Sequence, residues 1–437
     1  MLTNQVFSIL DDWNLWNHAL LEGHLRPFYL DRLEKLTRTN QIVVITGPRR
    51  VGKSFLMRQW MTRLLQNNFS SSNILMVNLE DPRFEKLDTK LLDTVWQVYQ
   101  SHLKPTSKPF LLLDEIQEVH QWEKWVRVFH ELDKAKIILS GSNANLLGKE
   151  LATLLTGRHV KMTVLPFSFA ELAGLRFPGE AGNTTDYLHL LDEMLASGGF
   201  PEVWFSEAKR ELLLQYFDDL IHKDLIRRYK IRKGETLKKM AVFYAAHCGS
   251  PITFNALEKF LSMSADTAER FSEYLEDAYL FFFLKRFSFK PKEREKSPRK
   301  IYCIDTGLAS AVSGRNIGQG HLAENILFLH LLGQKLADPL LDFFYWKNEQ
   351  HREVDFVVTL SGKPNLAIQV CWDSSHHETR QREIKSLVSG LTALKLSEGI
   401  ILTREEEGQE KIGVHLIRTI PLWKWLLGKQ PKIAKAV

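Results

Sequence analysis

The stretch that decides the fold is Gly47-Pro48-Arg49-Arg50-Val51-Gly52-Lys53-Ser54. It follows the apolar residues 42–45 and precedes a helix-like segment that begins at Phe55. A strand, a glycine-rich loop and a helix in this order predict a phosphate-binding loop. The two glycines let backbone N–H groups turn towards phosphates, and the amino end of the helix adds a favourable dipole. We therefore expect these eight residues to surround the phosphates of a nucleoside triphosphate, which we take to be ATP.

Individual side chains of this loop have different predicted tasks. We expect Lys53 to contact the β- and γ-phosphates and the Ser54 hydroxyl to hold Mg²⁺. The predicted cofactors are therefore ATP and Mg²⁺. Arg49 and Arg50 also lie within the loop, and the sequence leaves their task open.

A second motif is the carboxylate pair Asp114-Glu115, which ends the apolar residues 110–113. We expect Asp114 to hold the metal ion, usually through water, and Glu115 to orient and deprotonate the attacking water. An Asp-Glu pair after a strand often marks only a turn towards a helix. In the same alternating domain as Lys53, however, the pair predicts the catalytic half of a phosphoryl-transfer site.

Two further residues have open alternatives. Ser142 follows another apolar run and either senses the γ-phosphate or positions water, whereas Ser142 or Asn143 also suits the cap of the next helix. Arg158 either supplies charge to the transition state, in the same chain or in a neighbouring subunit, or is a solvated surface group.

Short apolar runs alternate with helical patterns through the first half of the chain. This alternation predicts an α/β fold, a mostly parallel sheet with helices on both faces. Ligands of such sheets bind outside the carboxyl ends of the strands. The predicted strands are 41–46, 73–79, 109–114, 135–140 and 159–165. The predicted helices are 53–66, 88–103, 121–133 and 143–155, after a helical leader over residues 1–40.

Three more signatures accompany the loop and the carboxylate pair: Ser140-Gly141-Ser142, Leu165-Pro166-Phe167-Ser168-Phe169 and Gly198-Gly199-Phe200-Pro201-Glu202. The combination resembles a prokaryotic family of AAA-type P-loop ATPases that carry a C-terminal domain similar to the PD-(D/E)xK restriction-nuclease fold. The resemblance covers nearly the whole chain. It implies an ATPase whose catalytic glutamate is Glu115.

The middle of the chain has the pattern of a winged-helix domain. Helical patterns at 237–247, 255–261 and 265–280 precede strand patterns at 279–289 and 300–304. Eight basic and two acidic residues between Lys285 and Lys300 give this predicted wing a net charge of +6, and residues 227–233 form a second basic run. Such a wing suits the phosphate backbone of DNA or RNA. A solvated hairpin or a protein contact stays open as the alternative.

The last third matches the outline of a nuclease domain. Glu324 lies on a helix pattern, Asp355 on one strand pattern and Gln369 on the next. Active versions use carboxylates to hold Mg²⁺ and a lysine to align water. Here Gln369 stands in place of an acid and Cys371 in place of the lysine, although Glu353 compensates in part. The sequence therefore predicts a degenerate nuclease-like site and a docking or dimerisation module, with a metal-dependent nuclease as the weaker alternative.

Length and composition set the broader class. The chain has 437 residues, 44% of them hydrophobic and 25% charged, and only three cysteines, which favours a soluble cytoplasmic protein of several domains. We predict an ATPase domain over residues 1–215, a winged-helix domain over 216–312 and a nuclease-like domain over 313–437. We expect no membrane span. The favoured function is an ATP-hydrolysing switch or motor, and its candidate partners are DNA or RNA and further copies of the same chain. The alternative is a nucleic-acid-binding or scaffold protein gated by ATP.

Overall fold

The computed structural model describes residues 3–142, 157–179, 181–373 and 377–428. The chain divides into two compact units, one up to Val164 and the other from Leu165 onwards. Both expected domain boundaries, after residues 215 and 312, lie within the second unit and stay predictions. Among the described residues, no helix combines the length and the apolar composition that a membrane crossing needs.

The first unit is built on a parallel five-stranded sheet with the strand order β2-β3-β4-β1-β5. Its strands are β1 (Ile42–Thr46), β2 (Ile74–Asn78), β3 (Phe110–Asp114), β4 (Lys136–Gly141) and β5 (His159–Thr163). Its helices are α1 (Thr3–Asp11), α2 (Pro27–Thr37), α3 (Lys53–Gln66), α4 (Thr89–Leu103) and α5 (Trp122–Glu131). The predicted parallel sheet is confirmed, whereas the helix expected over residues 143–155 lies outside the described residues.

The burial of the central strands explains why they appear in the sequence as continuous apolar runs. All five residues of β1 and of β3 are buried. A strand covered on both faces has no polar side and appears in the sequence as a continuous apolar run. The only polar side chains in these two strands, Thr46 and Asp114, stand at their carboxyl ends, so polarity is concentrated where ligands of such sheets bind.

Asn14 closes the exposed edge of this sheet. β2 is an edge strand, so one side of its backbone has no strand partner. The Asn14 side chain donates to the Met76 carbonyl at 2.8 Å and accepts from the Met76 N–H at 2.7 Å. Trp16 adds a hydrogen bond from its ring N–H to the Ile74 carbonyl at 3.0 Å. The segment between α1 and α2 therefore supplies the hydrogen bonds that another strand would supply.

The second unit begins with helices. They are α6 (Phe169–Arg176), α7 (Thr184–Ser197), α8 (Pro201–Trp204), α9 (Lys209–Asp219), a π-helical continuation (Leu220–Arg227), α10 (Gly234–Ala246), α11 (Phe254–Leu261) and α12 (Ala265–Asp277). A small sheet with the order β6-β8-β7 follows, made of β6 (Pro251–Ile252), β7 (Phe281–Leu284) and β8 (Arg299–Cys303), with α13 (Pro291–Lys296) between the last two.

The segment between β7 and β8 differs from the expected long hairpin. The strand expected over 279–289 ends at Leu284, and the charged loop contains α13. Pro291 at the start of this helix explains the difference, because its fixed φ suits the first helical position and its missing N–H is not needed there. The helix expected over 265–280 is present as α12 and ends at Asp277.

The remainder of the second unit surrounds a mixed six-stranded sheet with the order β13-β14-β12-β11-β10-β9. Its strands are β9 (Leu341–Lys347), β10 (Glu353–Leu360), β11 (Lys363–Val370), β12 (Glu398–Thr403), β13 (Gly408–Ile412) and β14 (His415–Pro421). Its helices are α14 (Thr306–Ser313), α15 (Gln319–Ala337), α16 (His377–Leu394) and α17 (Leu422–Leu426). β11, β12 and β14 run parallel, and the other pairs are antiparallel.

Replacing Asn14 by alanine tests the closure of the edge. We expect Asn14→Ala to lower the free energy of unfolding by about 3 kcal/mol, because two backbone groups of the buried Met76 lose their partner. The matched control is Asn17→Ala, since Asn17 is exposed and its side chain bonds to the nearby Asp11 side chain. Its expected change is within about 0.5 kcal/mol. Urea unfolding gives both values, and equal losses would contradict this role of Asn14.

Candidate functional site

The candidate site lies where three strands of the first unit end. β1 leads into the phosphate-binding loop, β3 ends at Asp114, and β4 ends just before Ser142. β4 pairs in parallel with both β1 and β3, so the three carboxyl ends meet at the same edge of the sheet. The side chains that the sequence analysis selected from separate motifs are thereby brought together.

Lys53 is the first residue of α3 and is almost completely buried. Its ammonium donates to the carbonyls of Gly47 at 3.1 Å and Pro48 at 3.0 Å. It also lies 3.5 Å from a carboxylate oxygen of Glu115. The loop therefore holds one buried cation at its centre, next to the acid that the sequence analysis assigned to catalysis.

The two loop glycines are required by the backbone. Gly47 has a φ of +139°, and a Cβ placed there would lie 2.2 Å from the Val164 carbonyl oxygen. Gly52 has a φ of +92° and caps the amino end of α3, with no atom within 4 Å of the corresponding Cβ position. Gly47 thus needs both the unusual φ and the space, whereas Gly52 needs only the φ. Val51 between them is fully buried, and the exposed Arg50 has a positive φ of 68°.

Asp114 lies between two hydroxyl groups. The hydroxyls of Ser54 and Ser140 both donate hydrogen bonds to its carboxylate. Burial raises the pKa of Asp114 above its usual value, and the charge of the neighbouring Glu115 raises it further. A carboxylate and a hydroxyl in contact are the oxygen ligands that Mg²⁺ takes beside substrate phosphates. The two residues predicted to hold Mg²⁺ therefore form one donor set.

Glu115 has a left-handed backbone with a φ of 52° and a ψ of 50°, which is uncommon for a residue with a long side chain. Its carboxylate accepts from the Ser142 N–H at 3.2 Å and from the Gln117 side chain. Burial opposes ionisation of this carboxyl, but the Lys53 ammonium and the Gln117 amide outweigh it, so the pKa of Glu115 lies below its usual value. Glu115 is therefore an ionised base in a buried place.

The Ser142 hydroxyl is buried and has no hydrogen-bond partner within the part of the chain that the structure describes. Buried polar atoms nearly always have a partner, so an unpaired hydroxyl beside Glu115 indicates a place for a polar ligand or water. This observation fits a nucleotide phosphate and a water molecule at the site. The alternative role of Asn143 as a helix cap lies outside the described residues.

Arg49 forms an ion pair with Glu80 at 3.0 Å. Its charge also acts on Glu115, which places it on the catalytic side of the loop.

Arg158 lies at the other end of the sheet. Its carbonyl accepts a hydrogen bond from the N–H of Ile42, the first residue of β1, and its side chain pairs with Glu131 at 3.0 Å. β1 rises about 3.3 Å per residue, so some 13 Å of strand separate Arg158 from the start of the loop. The expectation that Arg158 serves the site of its own chain is therefore not supported by its position. A role in a neighbouring subunit stays a prediction.

A second cluster forms in the other unit around the nuclease-like residues. Glu324 comes from α15, Asp355 from β10 and Gln369 from β11, as their sequence patterns indicated. The lysine that the sequence seemed to lack comes from β8, where the Lys300 ammonium lies 2.8 Å from Glu324, 2.8 Å from Glu353 and 2.9 Å from Asp355. Gln369 accepts from the Asp355 N–H at 3.3 Å and donates to Glu383 at 2.7 Å. Cys371 is a buried free thiol.

Sequence reasoning missed three side chains of these two sites. Ser140 lies in a quoted signature and Gln117 lies two residues after Glu115, but the sequence assigned neither of them a role. The Ser140 bond to Asp114 depends on the register of β3 and β4, whereas the Gln117 bond to Glu115 is a local contact after β3. Lys300 was counted with the exposed wing. Its only sequence signal is the alternation with Tyr302, which puts both side chains on one face of β8.

Comparisons with known proteins agree with this architecture. Residues 39–173 match the family model of an AAA domain, and residues 188–317 and 319–425 match two domains of unknown function, DUF8612 and DUF4143. An uncharacterized protein of Methanocaldococcus jannaschii is 32% identical over 407 residues, which cover 89% of this chain and 88% of that protein. An uncharacterized protein of Haemophilus influenzae is 31% identical over 371 residues, 81% of this chain and 88% of that protein.

A search of solved structures found, among others, AMPPCP-bound DnaA from Aquifex aeolicus. The alignment covers 61% of this chain and 91% of that chain at 13% sequence identity, with a TM-score of 0.28.

The two loop glycines provide a matched test of the loop geometry. We expect Gly52→Ala to lower the free energy of unfolding by about 1 kcal/mol, the cost of a side chain in a sparsely populated backbone region. We expect Gly47→Ala to cost about 3 kcal/mol or more, because its Cβ also collides with the Val164 carbonyl. Chemical unfolding measures both, and an equal or smaller loss for Gly47→Ala would contradict the close approach to Val164.

Proposed function

This chain belongs to the family of AAA-domain proteins that includes the Methanocaldococcus jannaschii protein, and we propose that it is a Mg²⁺-dependent ATPase that works as a molecular switch or motor. The observation that carries the proposal is the buried ion pair of Lys53 with Glu115, next to Asp114 and its two hydroxyl donors. A cation, a metal-binding acid and an ionised base are the groups that phosphoryl transfer to water needs, and the Ser142 hydroxyl, which has no partner among the described residues, lies on the residue that bonds to Glu115.

Binding of the nucleotide would change the hydrogen-bond partners of the Lys53 ammonium. Its ammonium donates to two loop carbonyls and lies next to Glu115, and the oxygens of the β- and γ-phosphates compete for the same donors. The backbone N–H groups between Gly47 and Gly52 add neutral donors that carry no desolvated charge. Ser54 and Asp114 are the residues that would hold Mg²⁺. When bound, the ion neutralises part of the charge that develops on the phosphates.

Glu115 is the general base of the proposed reaction. Its carboxylate is ionised, and its hydrogen bond from the Ser142 N–H fixes it beside the hydroxyl of the same residue. It accepts the proton of the attacking water while Ser142 and Gln117 orient the groups around it. A positioned base of this kind contributes about 10²–10⁴ to a rate. Arg158 contributes only where a homo-oligomer brings it to the site of a neighbouring subunit.

Exchanging Glu115 for glutamine tests this assignment. We expect Glu115→Gln to lower steady-state ATP turnover by about 10²-fold or more, because the amide cannot accept the proton. Binding of ATP is retained, since the loop and Lys53 are unchanged. The matched control is Glu118→Gln, an exposed acid three positions further on, for which wild-type turnover is expected. Equal turnover in Glu115→Gln and wild type would remove Glu115 from the mechanism.

A winged-helix role for α10–α12 with β7 and β8 stays a proposal, and the charges favour a protein contact over nucleic acid. α12, the expected recognition helix, carries five acidic residues and one arginine. A surface of that sign repels phosphates. Four of the eight basic wing residues pair with carboxylates, two arginines donate to backbone carbonyls, and two lysines have no partner among the described residues. These two are Lys292 and Lys296.

The salt dependence of duplex DNA binding separates the two alternatives. A wing that places six cations on phosphates would give a slope of log K against log salt near −5, whereas phosphate contacts by Lys292 and Lys296 alone give about −2. We expect the smaller slope for the wild type. Replacing both Lys292 and Lys296 by glutamate should change the slope by no more than about 2. Fluorescence anisotropy between low and physiological salt provides the slopes. A slope near −5 that charge reversal flattens would establish the nucleic-acid alternative.

The nuclease-like part of the chain is proposed to serve as a docking or dimerisation module that responds to the nucleotide bound by the ATPase domain. Lys300 and Gln369 alter the residue set on which cleavage depends, so hydrolysis of nucleic acid is the weaker alternative.

A further inference from the structure

Lys300 is an unusual lysine because it is buried inside a cluster of acids. It exposes 1% of its surface. An ammonium group has three N–H donors, and three carboxylates lie within 2.9 Å of the Lys300 nitrogen. Each donor is therefore matched by one acid, and no donor is left for a substrate or for water. This distinguishes Lys300 from a catalytic lysine, which must present a donor to the reacting groups.

The cluster keeps this lysine charged. Burial by itself would lower the pKa of Lys300, but the carboxylates of Asp355 and Glu324 outweigh burial and hold the pKa well above its usual value. Burial also raises the pKa of Glu324 to about 7, and the charge of Asp355 adds to this effect. Removing buried charges from water is costly, so such a group persists only where its members neutralise one another.

The neutral residue at 369 fits this balance. The Gln369 side chain accepts from the Asp355 backbone N–H and donates to Glu383, and it adds no charge. Lys347 supplies a second, partly exposed cation at 2.9 Å from Glu353. His321 is another ionisable group near Lys300, and burial followed by the Lys300 charge lowers its pKa, which keeps it neutral. A further acid at 369 would add to the negative charge of a cluster in which three carboxylates already face one buried ammonium.

The same strand is tied to α15 by two other residues. The Tyr302 hydroxyl, on the same face of β8 as Lys300, donates to Glu324 at 2.6 Å. The Asn325 side chain bonds to both the N–H and the carbonyl of Cys303, each at 2.8 Å. Lys300, Tyr302 and Cys303 of β8 therefore all bond to α15, and Lys300 also bonds to β10. Of these three residues, only Lys300 carries a charge.

We propose that the Lys300 ammonium is a built-in substitute for a divalent cation, which closes the carboxylate cluster to metal ions and fastens β8 to α15 and β10. The small sheet and the six-stranded sheet then move together, because separating them would expose three uncompensated carboxylates and one ammonium.

Manganese binding to the nucleotide-free, full-length protein tests this substitution. In Lys300→Met the three carboxylates lose their cation, and we expect them to bind Mn²⁺ at least about tenfold more tightly than the wild type does, because no positive charge repels the ion at contact distance. Electron paramagnetic resonance measures free Mn²⁺ in the titration. The double variant Lys300→Met with Asp355→Asn is the control for Mn²⁺ binding elsewhere in the chain. We expect it to lose the tighter Mn²⁺ binding of Lys300→Met.

Thermal unfolding gives a second readout on the same proteins. We expect Lys300→Met to lower the melting temperature more than the matched control Lys347→Met, whose side chain meets the same Glu353 but is partly exposed. Mn²⁺ should restore part of the loss in Lys300→Met and leave the wild type unchanged. A folded Lys300→Met protein that gains no Mn²⁺ binding, or wild-type binding that Asp355→Asn removes, would overturn the proposal.

Amine labelling of the wild-type protein covers the case in which Lys300→Met does not fold. With acetic anhydride under native conditions, we expect Lys300 to react at least about 100-fold more slowly than Lys347, because its modification requires local opening. Peptide mass spectrometry follows both rates. Comparable rates would show that Lys300 leaves the cluster freely, which contradicts its role as a fixed cation.

Discussion

The parallel pairing of β4 with both β1 and β3 is the constraint on which the candidate site depends. It aligns the carboxyl ends of the three strands, which places the Lys53 ammonium 3.5 Å from Glu115 and the Ser140 hydroxyl in a hydrogen bond with Asp114. A shift of one residue between β3 and β4 would turn Ser140 to the other face and leave Asp114 with Ser54 as its remaining hydroxyl donor. The chemistry is therefore a property of strand register as much as of the motifs.

Local and continuous signals could be predicted from the sequence. The buried strands β1 and β3 appear as unbroken apolar runs, and the loop glycines have no replacement that fits their backbone. The parallel sheet, the position of Lys53 and the carboxylates at the end of β3 followed from these signals. The helices expected over 237–247, 255–261 and 265–280 are present as α10, α11 and α12, although the helix that begins at Pro291 shortened the expected hairpin.

Contacts between distant segments could not be predicted in the same way. Lys300 and Arg299 are neighbours in a basic run, yet Lys300 turns inwards to three acids and Arg299 pairs with Glu269. A count of charges along the chain treats both as free. Arg158 shows the same limit, because only the pairing of β5 with β1 reveals that it stands at the amino end of the sheet. Partner identity depends on which strands pair, and a single sequence does not contain that information locally.

The bonds that Asn14 makes to Met76 have a consequence for protein engineering. A chain shortened to start at α2 would keep every residue of the nucleotide loop but would leave the outer side of β2 unsatisfied. Unpaired edge strands recruit strands from other molecules. Such a truncated protein should self-associate through the open edge of β2 and through the core surface that Val6, Ile9 and Leu10 of α1 cover. Its aggregation would therefore not indicate a faulty nucleotide pocket.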